Sequence, residues 1–299
     1  MKKRFKTFIG KTRRKGSTMF THLFDFTFPF IYKRHEEKFI SRLMEHVSKY
    51  SYIVSPMESL KVIESFIEEQ KAGAYMRFGD GDVFLAMGKN DMLQRSEKAL
   101  SKEMFEAFAI KGPSIIKALA IHSKLYGSEK EMYIGNHLQK DKIANDLLKR
   151  VYPFFVGYQI FSPVALHYAA TYCPAIANEF LKKLKRHVTL FIGNENTQQE
   201  IIEKLFGPVS HVKTPSKNAY DKINEIEKEA TNILAKQKDF GVVIISMGCS
   251  GRILMKRLLK NNFNVFFFDF GSLLDGICGH ETRPWLKENI NYNLLLKNI

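Results

Sequence analysis

The chain has 299 residues, 45% of them hydrophobic and 26% charged, which is enough apolar sequence for a sizeable buried core and argues against disorder over most of its length. Its net charge of +15 is concentrated in residues 1–34, which carry ten Lys or Arg side chains and a single acid, Asp25. Because the remainder is only mildly basic, we do not expect a nucleic-acid partner, which would require basic stripes across the folded domain. The three cysteines are far apart and indicate neither a disulfide framework nor a zinc site, so a cytoplasmic location is the default expectation.

Residues 1–50 are predicted to form a basic and aromatic extension, with helical character, ahead of a single α/β domain at 51–299. Basic side chains flank an aromatic stretch in residues 1–34, a pattern that suits peripheral contact with an anionic membrane at its inner face. An amphipathic helix that packs on the domain would explain the same pattern. The apolar run is too short to span a bilayer, and no small-residue cleavage site of a signal peptide follows it.

The first half of the domain is predicted to combine helices with short strands. The first helix opens with a capping box at Ser55 and Glu58, has Pro56 at its first position, and ends at Gly73. Apolar residues at helical spacing support it. The other predicted elements of this half are a strand at 74–78 followed by a Gly/Asp loop, helices at 96–110 and from Pro113 onward, a candidate strand at 132–134, and a mainly helical stretch at 141–186.

Strands and helices alternate in the second half of the domain. This alternation predicts a Rossmann-like, layered and mostly parallel α/β sheet with helices on both faces. Since ligands bind beyond the carboxyl ends of such strands, we expect the loops at those ends to form one shared site. The predicted elements are strands at 187–192, 209–212, 241–246 and 265–269, and helices at 198–206, 218–236 and 252–260.

The clearest chemical signal is the pair of acids Asp80 and Asp82. Residues two apart in a turning backbone can aim at the same side, and Gly79 and Gly81 permit a close ligand approach. Two neighbouring carboxylates repel unless a cation neutralises them, and oxygen ligands favour Mg²⁺ or Mn²⁺. A metal there would stabilise a leaving diphosphate, and Arg77 could pair with an Asp or with a phosphate. An Asx-type turn explains the same residues without a metal.

Two later turns are candidates for phosphate and ribose binding. The turn at 248–251 lies between an apolar strand and a helix, so it presents backbone N–H groups at a helix N-terminus, and Arg252 adds positive charge. It is not a Walker loop, and Gly-rich turns are common in α/β folds. In many nucleotide-binding folds, an acid at a strand end such as Asp269 meets ribose hydroxyls.

The segment that begins at Asp275 is polar and aromatic and includes Arg283 and Trp285. It is a candidate lid or acceptor site, and the alternative is a solvated terminal loop. His122, His137 and His167 are interpreted as structural and receive no role.

Four segments in this order resemble the motifs of glycosyltransferases of GT-D fold (DUF1792-like). They are Arg77 to Asp82 with Gly88, Lys89 and Gln94 behind it, Gly193-Asn194-Glu195, Thr214 to Asp221, and Ser246 to Gly251 followed by Asp269-Phe270-Gly271. The sequence departs from the family pattern at two single positions and in one loop. Asp82 replaces the usual Glu, Gly-Cys-Ser-Gly replaces Gly-Pro-Thr-Ala, and Ser272 stands where members often have His.

The resemblance implies transfer of a sugar from a nucleotide-sugar donor, in the first instance a UDP-sugar, to a glycan, glycoprotein or lipid-linked acceptor, with Mn²⁺ or Mg²⁺ as cofactor. It assigns the metal and the reaction to Asp80 and Asp82, oriented by Arg77. The general base is left open between Asp82 and Asp275. The implied donor contacts are Gly79, Gly81, Gln94, Asn194, Glu195, Pro215, Asn218, Tyr220, Gly248, Ser250, Gly251, Arg252, Asp269 and Ser272.

Two other functions fit parts of the sequence. A Rossmann-like methyltransferase or another nucleotide-binding enzyme would explain the Gly-rich turn and Asp269, but not the upstream acids at 80 and 82. A non-catalytic module that docks on membrane or nucleic acid would use only the basic extension.

Overall fold

The computed structural model describes residues 52–119, 151–155, 159–280, 286 and 290–299. Contacts divide the chain after Lys49, so all of these residues belong to the unit from Tyr50 to Ile299. No helix within the described ranges is long and apolar enough to cross a membrane. Several predictions lie outside the described residues, namely those for the extension at 1–50, the strand at 132–134, His122, His137, Arg283 and Trp285.

The described strands are β1 Tyr52–Ile53, β2 Gly73–Phe78, β3 Ile115–Leu119, β4 Gln159–Ile160, β5 Val188–Asn194, β6 Ser210–Thr214, β7 Gly241–Ser246 and β8 Val265–Asp269. The described helices are α1 Pro56–Glu68, α2 Asp80–Ala86, α3 Lys98–Ala109, α4 Ala165–Tyr172, α5 Pro174–Lys185, α6 Gln199–Phe206, α7 Ile223–Leu234, α8 Ser250–Leu258, α9 Leu273–Ile277 and α10 Tyr292–Leu295. Short 3₁₀ turns occur at Tyr152–Phe154, Ala219–Lys222 and Leu259–Asn261.

Six strands form one sheet in the order β3-β2-β8-β7-β5-β6, and every neighbouring pair in it is parallel. Strands β1 and β4 form a separate parallel pair. The predicted layered, parallel sheet is therefore confirmed. The order also places β2, the first strand of the sheet along the chain, directly beside β8, the last.

Helices cover both faces of this sheet, as predicted. Tyr75 and Phe268 pack in a hydrophobic cluster with residues of α1, α4 and α5. The adjacent Met76 and Phe267 are also buried, on the other face, where α8 contacts β2, α3 and α7. Side chains of successive strand residues point to opposite faces, so strands buried on both faces carry the continuous apolar runs seen in β7 and β8.

The predicted cap of the first helix is confirmed. The Oγ of Ser55 accepts a hydrogen bond from the backbone N–H of Glu58 at 3.2 Å, and Pro56 occupies the first helical position. A Ser cap of this kind satisfies one of the backbone donors that a helix leaves open at its start.

The helix predicted from Pro113 onward is wrong. Residues Ile115–Leu119 form the edge strand β3, which pairs in parallel with β2. Its buried Lys117 donates from Nζ to the carbonyls of Phe108 and Phe154, at 3.0 and 2.7 Å. Pairing with a distant strand therefore outweighs the helix-start signal of a single proline.

The helix predicted at 218–236 begins later than expected. Asn218 has a φ of 52°, in the left-handed region that asparagine tolerates, and a 3₁₀ turn at Ala219–Lys222 precedes α7. This turn places Asn218 at the sheet edge where the predicted site lies.

Candidate active site

A cavity of about 340 Å³ opens at the carboxyl-terminal edge of the sheet. A volume of this size falls in the range of small-molecule sites. A larger cavity of about 610 Å³ lies at the opposite edge, where β2 and β8 begin, and none of the described residues predicted for the site lines it. The final residues of five of the six strands line the smaller cavity, namely Phe78, Asn194, Thr214, Ser246 and Asp269.

The predicted Gly/Asp loop is instead the first turn of helix α2, which begins at Asp80. Gly79 precedes it in extended backbone, and its N–H donates to Oδ2 of Asp82 at 2.7 Å. The helix dipole favours acids in a first turn, which explains why these residues do not form a loop. Because side chains two apart on a helix leave it on different sides, Asp80 is exposed whereas Asp82 is buried, although both line the cavity.

Asp82 is a buried acid held beside a positive charge. Burial raises its pKa from 3.8 to about 6, although Arg252 and the Gly79 N–H favour the ionised form. Its Oδ1 lies 3.5 Å from Nε of Arg252. Asp82 therefore remains mostly ionised at neutral pH, at a cost in folding free energy that its neighbours only partly offset.

Arg252 joins three strand ends at the floor of the cavity. It donates from Nε to the carbonyl of Arg77 and from Nη1 to the carbonyl of Gly248. Its Nη2 lies 3.2 Å from Oδ2 of Asp269, and the Arg77 Nη1 lies 3.8 Å from the other oxygen of that acid. Although burial disfavours its charge, Asp269 and Asp82 raise the pKa of Arg252. Arg252 and Asp269, which were predicted to contact phosphate and ribose, therefore form an ion pair with each other.

Of the predicted site residues that the structure describes, most line this cavity and three do not. Glu195 is exposed elsewhere, Gly251 is buried in α8 against Ile245 and Met247, and Tyr220 turns its hydroxyl to Oε1 of Glu103 at 2.8 Å. The predicted residues that line it are Arg77, Gly79, Asp80, Gly81, Asp82, Gln94, Asn194, Pro215, Asn218, Gly248, Ser250, Arg252, Asp269, Ser272 and Asp275.

Gln94 fixes one wall of the cavity. Its buried Oε1 accepts from the backbone N–H of Tyr220 and from Oγ of Ser250, both at 3.1 Å, and its Nε2 donates to the carbonyl of Arg95 at 3.0 Å. A single amide therefore ties the segment after α2 to the 3₁₀ turn and to the start of α8.

Sequence reasoning missed Asp91, which meets Cys249 of the turn at 248–251 beside α2. A Cβ on Gly81 would lie 2.7 Å from Oδ1 of Asp91 and 3.0 Å from Sγ of Cys249, so only glycine fits there without a shift. Burial raises the pKa of the Cys249 thiol well above its usual value, which keeps it neutral. The sequence did offer one signal for Asp91, because it follows by three residues Gly88, which belongs to the first of the four family-like segments.

The cavity is acidic. Among the described residues, five carboxylates line it, from Asp80, Asp82, Asp91, Asp269 and Asp275, against the guanidinium groups of Arg77 and Arg252. Within the described part of the chain, no group of three or more His, Cys, Asp or Glu side chains could hold a metal ion. Mg²⁺ is commonly bound through one or two carboxylates plus substrate phosphates, so these residues fit a cation that the donor helps to hold.

A second ion-pair network supports the wall next to α8. Glu103 accepts from Lys256, Arg257 and Tyr220, with Lys256 Nζ at 2.8 Å. Burial opposes the charge of Glu103, but these three donors outweigh it and lower its pKa to about 2. The network joins α3 to α8 and to the turn that carries Asn218.

We expect Glu103→Gln to lower the free energy of unfolding by about 1–2 kcal/mol at pH 7, because two cations lose a shared, partly solvated carboxylate. A lowered folded-state pKa contributes stability above about pH 4.5 that is lost as the pH falls toward 2. The deficit measured by urea unfolding should therefore shrink from pH 7 to pH 3. Glu106→Gln, which removes a more exposed partner of Lys256, is the matched control and should cost less. A deficit that does not depend on pH would contradict the role given to this charge.

Comparisons with known proteins agree with this architecture. A family model described as "Glycosyltransferase GT-D fold" matches residues 75–273. No curated protein matches the chain. A solved structure of the conserved domain of unknown function 1792, described as having a distinct glycosyltransferase fold, superposes with a TM-score of 0.57 at 17% identity, over 79% of this chain and 82% of that one.

A second solved structure, described as a new glycosyltransferase (DUF1792) from Streptococcus sanguinis, superposes with a TM-score of 0.54 at 17% identity. The superposition covers 83% of this chain and 93% of the chain in that structure. The family match includes β2 from Tyr75 onward, every later strand of the sheet and the site residues from Arg77 to Ser272. The chain therefore belongs to the glycosyltransferases of GT-D fold and is an enzyme of that class.

Proposed function

We propose that this glycosyltransferase uses a UDP-sugar bound together with Mg²⁺ or Mn²⁺ in the acidic cavity, and transfers the sugar to a glycan or lipid-linked acceptor. The observation that carries the proposal is the charge of the cavity. Five carboxylates of the described residues face two guanidinium groups, which are already paired with Asp82 and Asp269. A diphosphate would be repelled there unless a divalent cation accompanied it.

Asp80 is the side chain best placed to offer oxygen to such a cation, because among the described residues its exposed carboxylate accepts only from the N–H of Gly81, at 3.0 Å. Asp82 would act beside it through its charge, since both of its oxygens face protein donors. When bound, the cation would neutralise the diphosphate and make the nucleotide a better leaving group.

The phosphates have a second source of support in the turn that begins α8. Gly248 has a φ of 63°, a conformation that glycine adopts readily, and Ser250 opens the helix. Backbone N–H groups at a helix start favour anions. Arg252 would contribute by holding this turn to the end of β2, rather than by contacting phosphate itself.

For the acceptor, Asp275 is the better candidate for the general base. It lines the cavity from α9 and is only half-buried, whereas Asp82 is held by Gly79 and Arg252. A carboxylate within hydrogen-bond reach of the acceptor hydroxyl can take its proton as the glycosidic bond forms. Peripheral membrane contact through the basic residues 1–34 belongs to the same proposal and would bring the enzyme to a lipid-linked acceptor.

Thermal unfolding with candidate ligands tests this function. We expect UDP plus Mn²⁺ to raise the melting temperature by several degrees, because a ligand at about 100 times its Kd stabilises by about 2.7 kcal/mol. UDP or Mn²⁺ alone should shift it less. Stabilisation by S-adenosylmethionine and not by UDP plus Mn²⁺ would favour the methyltransferase alternative and remove the proposal.

A further inference from the structure

Buried polar atoms that lack a hydrogen bond concentrate around the cavity. Among the described residues they include Arg77 Nε, Asp82 Oδ1, Asp269 Oδ2 and Thr214 Oγ1, and all four of these residues line it. The first three belong to the ion-pair cluster of Arg252, so a neighbouring charge compensates each of them. Thr214 Oγ1 has no hydrogen-bond or ion-pair partner in the described part of the chain, which makes it the exception.

Thr214 is the last residue of β6 and is 1% exposed. Its backbone carbonyl is satisfied, because it accepts from the N–H of Glu195 at 2.9 Å, so only the hydroxyl is left open. A buried polar group without a partner costs about 1–3 kcal/mol, and native structures rarely keep one without a reason. A ligand that supplies the missing partner is such a reason, and because Thr214 is 1% exposed its neighbours must shift for the ligand to reach the hydroxyl.

The wall around Thr214 differs in chemistry from the acidic wall opposite. Its neighbours along the lining are the uncharged side chains of Asn194, Ser216 and Asn218. Oδ1 of Asn194 accepts from the N–H of Asn196 at 3.0 Å, and Oδ1 of Asn218 accepts from the N–H of Arg95 at 2.8 Å. Since a backbone N–H can only donate, each amide keeps its NH₂ group as the donor that remains for a ligand.

We propose that Thr214 is a donor-binding residue whose hydroxyl hydrogen-bonds the uncharged nucleoside of the nucleotide-sugar. The proposal rests on the proposed function and adds to it a division of the cavity. The nucleoside lies against the neutral wall, whose hydroxyl and amide donors match the carbonyl and hydroxyl oxygens of a base and ribose. The diphosphate lies toward the acidic wall, where a cation can accompany it.

The first test concerns the protein without ligand. Thr214→Val keeps the side-chain volume but removes the hydroxyl, and Thr214→Ser keeps the hydroxyl. Because the hydroxyl has no partner in the free protein, the Val variant of the full chain should melt at or above the wild-type temperature. A melting temperature clearly below that of wild type would show that the hydroxyl is satisfied within the protein and would overturn the proposal.

The second test measures binding of UDP and of pyrophosphate by calorimetry, both with Mn²⁺ present. We expect Thr214→Val to weaken UDP binding about tenfold, the effect of one lost hydrogen bond, and to leave pyrophosphate binding within about twofold. Thr214→Ser should restore UDP binding to within about threefold of wild type. Equal weakening of both ligands, or no weakening of either, would overturn the assignment to the nucleoside.

The outcome for wild type separates this inference from the proposed function. If wild type fails to bind UDP with Mn²⁺, the proposed donor is wrong, and the role of Thr214 falls with it. If wild type binds and the Val variant binds equally well, only the role of Thr214 is removed.

Discussion

Replacing either Asp80 or Asp82 with asparagine is expected to lower sugar transfer by on the order of a hundredfold or more, the usual scale for removing a group that positions a cation or stabilises transition-state charge. Asp80→Asn removes the exposed carboxylate that is free to meet a cation. Asp82→Asn removes the buried charge that faces Arg252 at 3.5 Å. Initial rates of UDP-sugar turnover, with and without acceptor, measure both effects.

Asp239→Asn is the matched control for these variants, because Asp239 is exposed just before β7 begins, at the opposite end of that strand from the cavity. It should transfer sugar at the wild-type rate. Wild-type rates in both site variants would remove the two acids from the mechanism and leave the acidic cavity without a catalytic role.

Asp82→Asn should also change how the free energy of unfolding depends on pH, an effect that activity measurements do not report. The pKa of Asp82 is raised from 3.8 to about 6 on folding, so the stability it contributes at low pH is lost as the pH rises through 6. Relative to wild type, the Asn variant should therefore gain about 2 kcal/mol between pH 4.5 and pH 7. Chemical denaturation at the two pH values measures this change, and a constant difference would contradict the buried, ionised state of Asp82.

The largest loss of stability is expected from Arg252→Gln. The variant leaves Asp82 and Asp269, which are 1% and 4% exposed, without the guanidinium that lies between them. Removing one partner of a buried ion pair costs about 3–5 kcal/mol, because the remaining charge is uncompensated. Donor turnover should fall as well, since Arg252 also holds the carbonyls of Arg77 and Gly248.

The pH dependence and a surface control identify the cause of that loss. Burial raises the pKa of Asp82 and Arg252 opposes that rise, so without Arg252 the acid is more readily neutralised and the deficit of Arg252→Gln should be smaller at pH 5 than at pH 8. Arg95→Gln breaks an exposed pair with Asp221 at 3.4 Å and should change stability by less than about 1 kcal/mol. Similar losses in the two variants would show that the buried cluster contributes no more than a surface pair.

The parts of this fold that sequence predicted well are those decided by local pattern. Strands β5, β7 and β8 are runs of buried apolar residues, and the cap at Ser55 uses residues three apart. Strand β3 was missed because its existence depends on pairing with β2 across the sheet. The position of the site followed from the carboxyl ends of parallel strands, and the cavity lies there.

The chemistry inside the site was less predictable than its position. From its place beside a Gly-rich turn, Arg252 is predicted to contact phosphate. In the structure it contacts the carbonyl of Arg77 in β2 and the carboxylate of Asp269 in β8. Tyr220 lies in a motif of the family, yet its hydroxyl meets Glu103, which is 117 residues away. Contacts between residues so far apart depend on the strand order, which no local pattern encodes.

The adjacency of β2 and β8 determines when the cavity can form while the chain is being synthesised. Arg77 and Asp269 belong to strands that pair directly although the chain between them is nearly two hundred residues long. Closing so long a loop is entropically costly and makes such contacts late events in folding. A nascent chain from which β8 has not yet emerged therefore lacks the floor of the cavity, so we expect no transfer activity before residues 265–269 have left the ribosome.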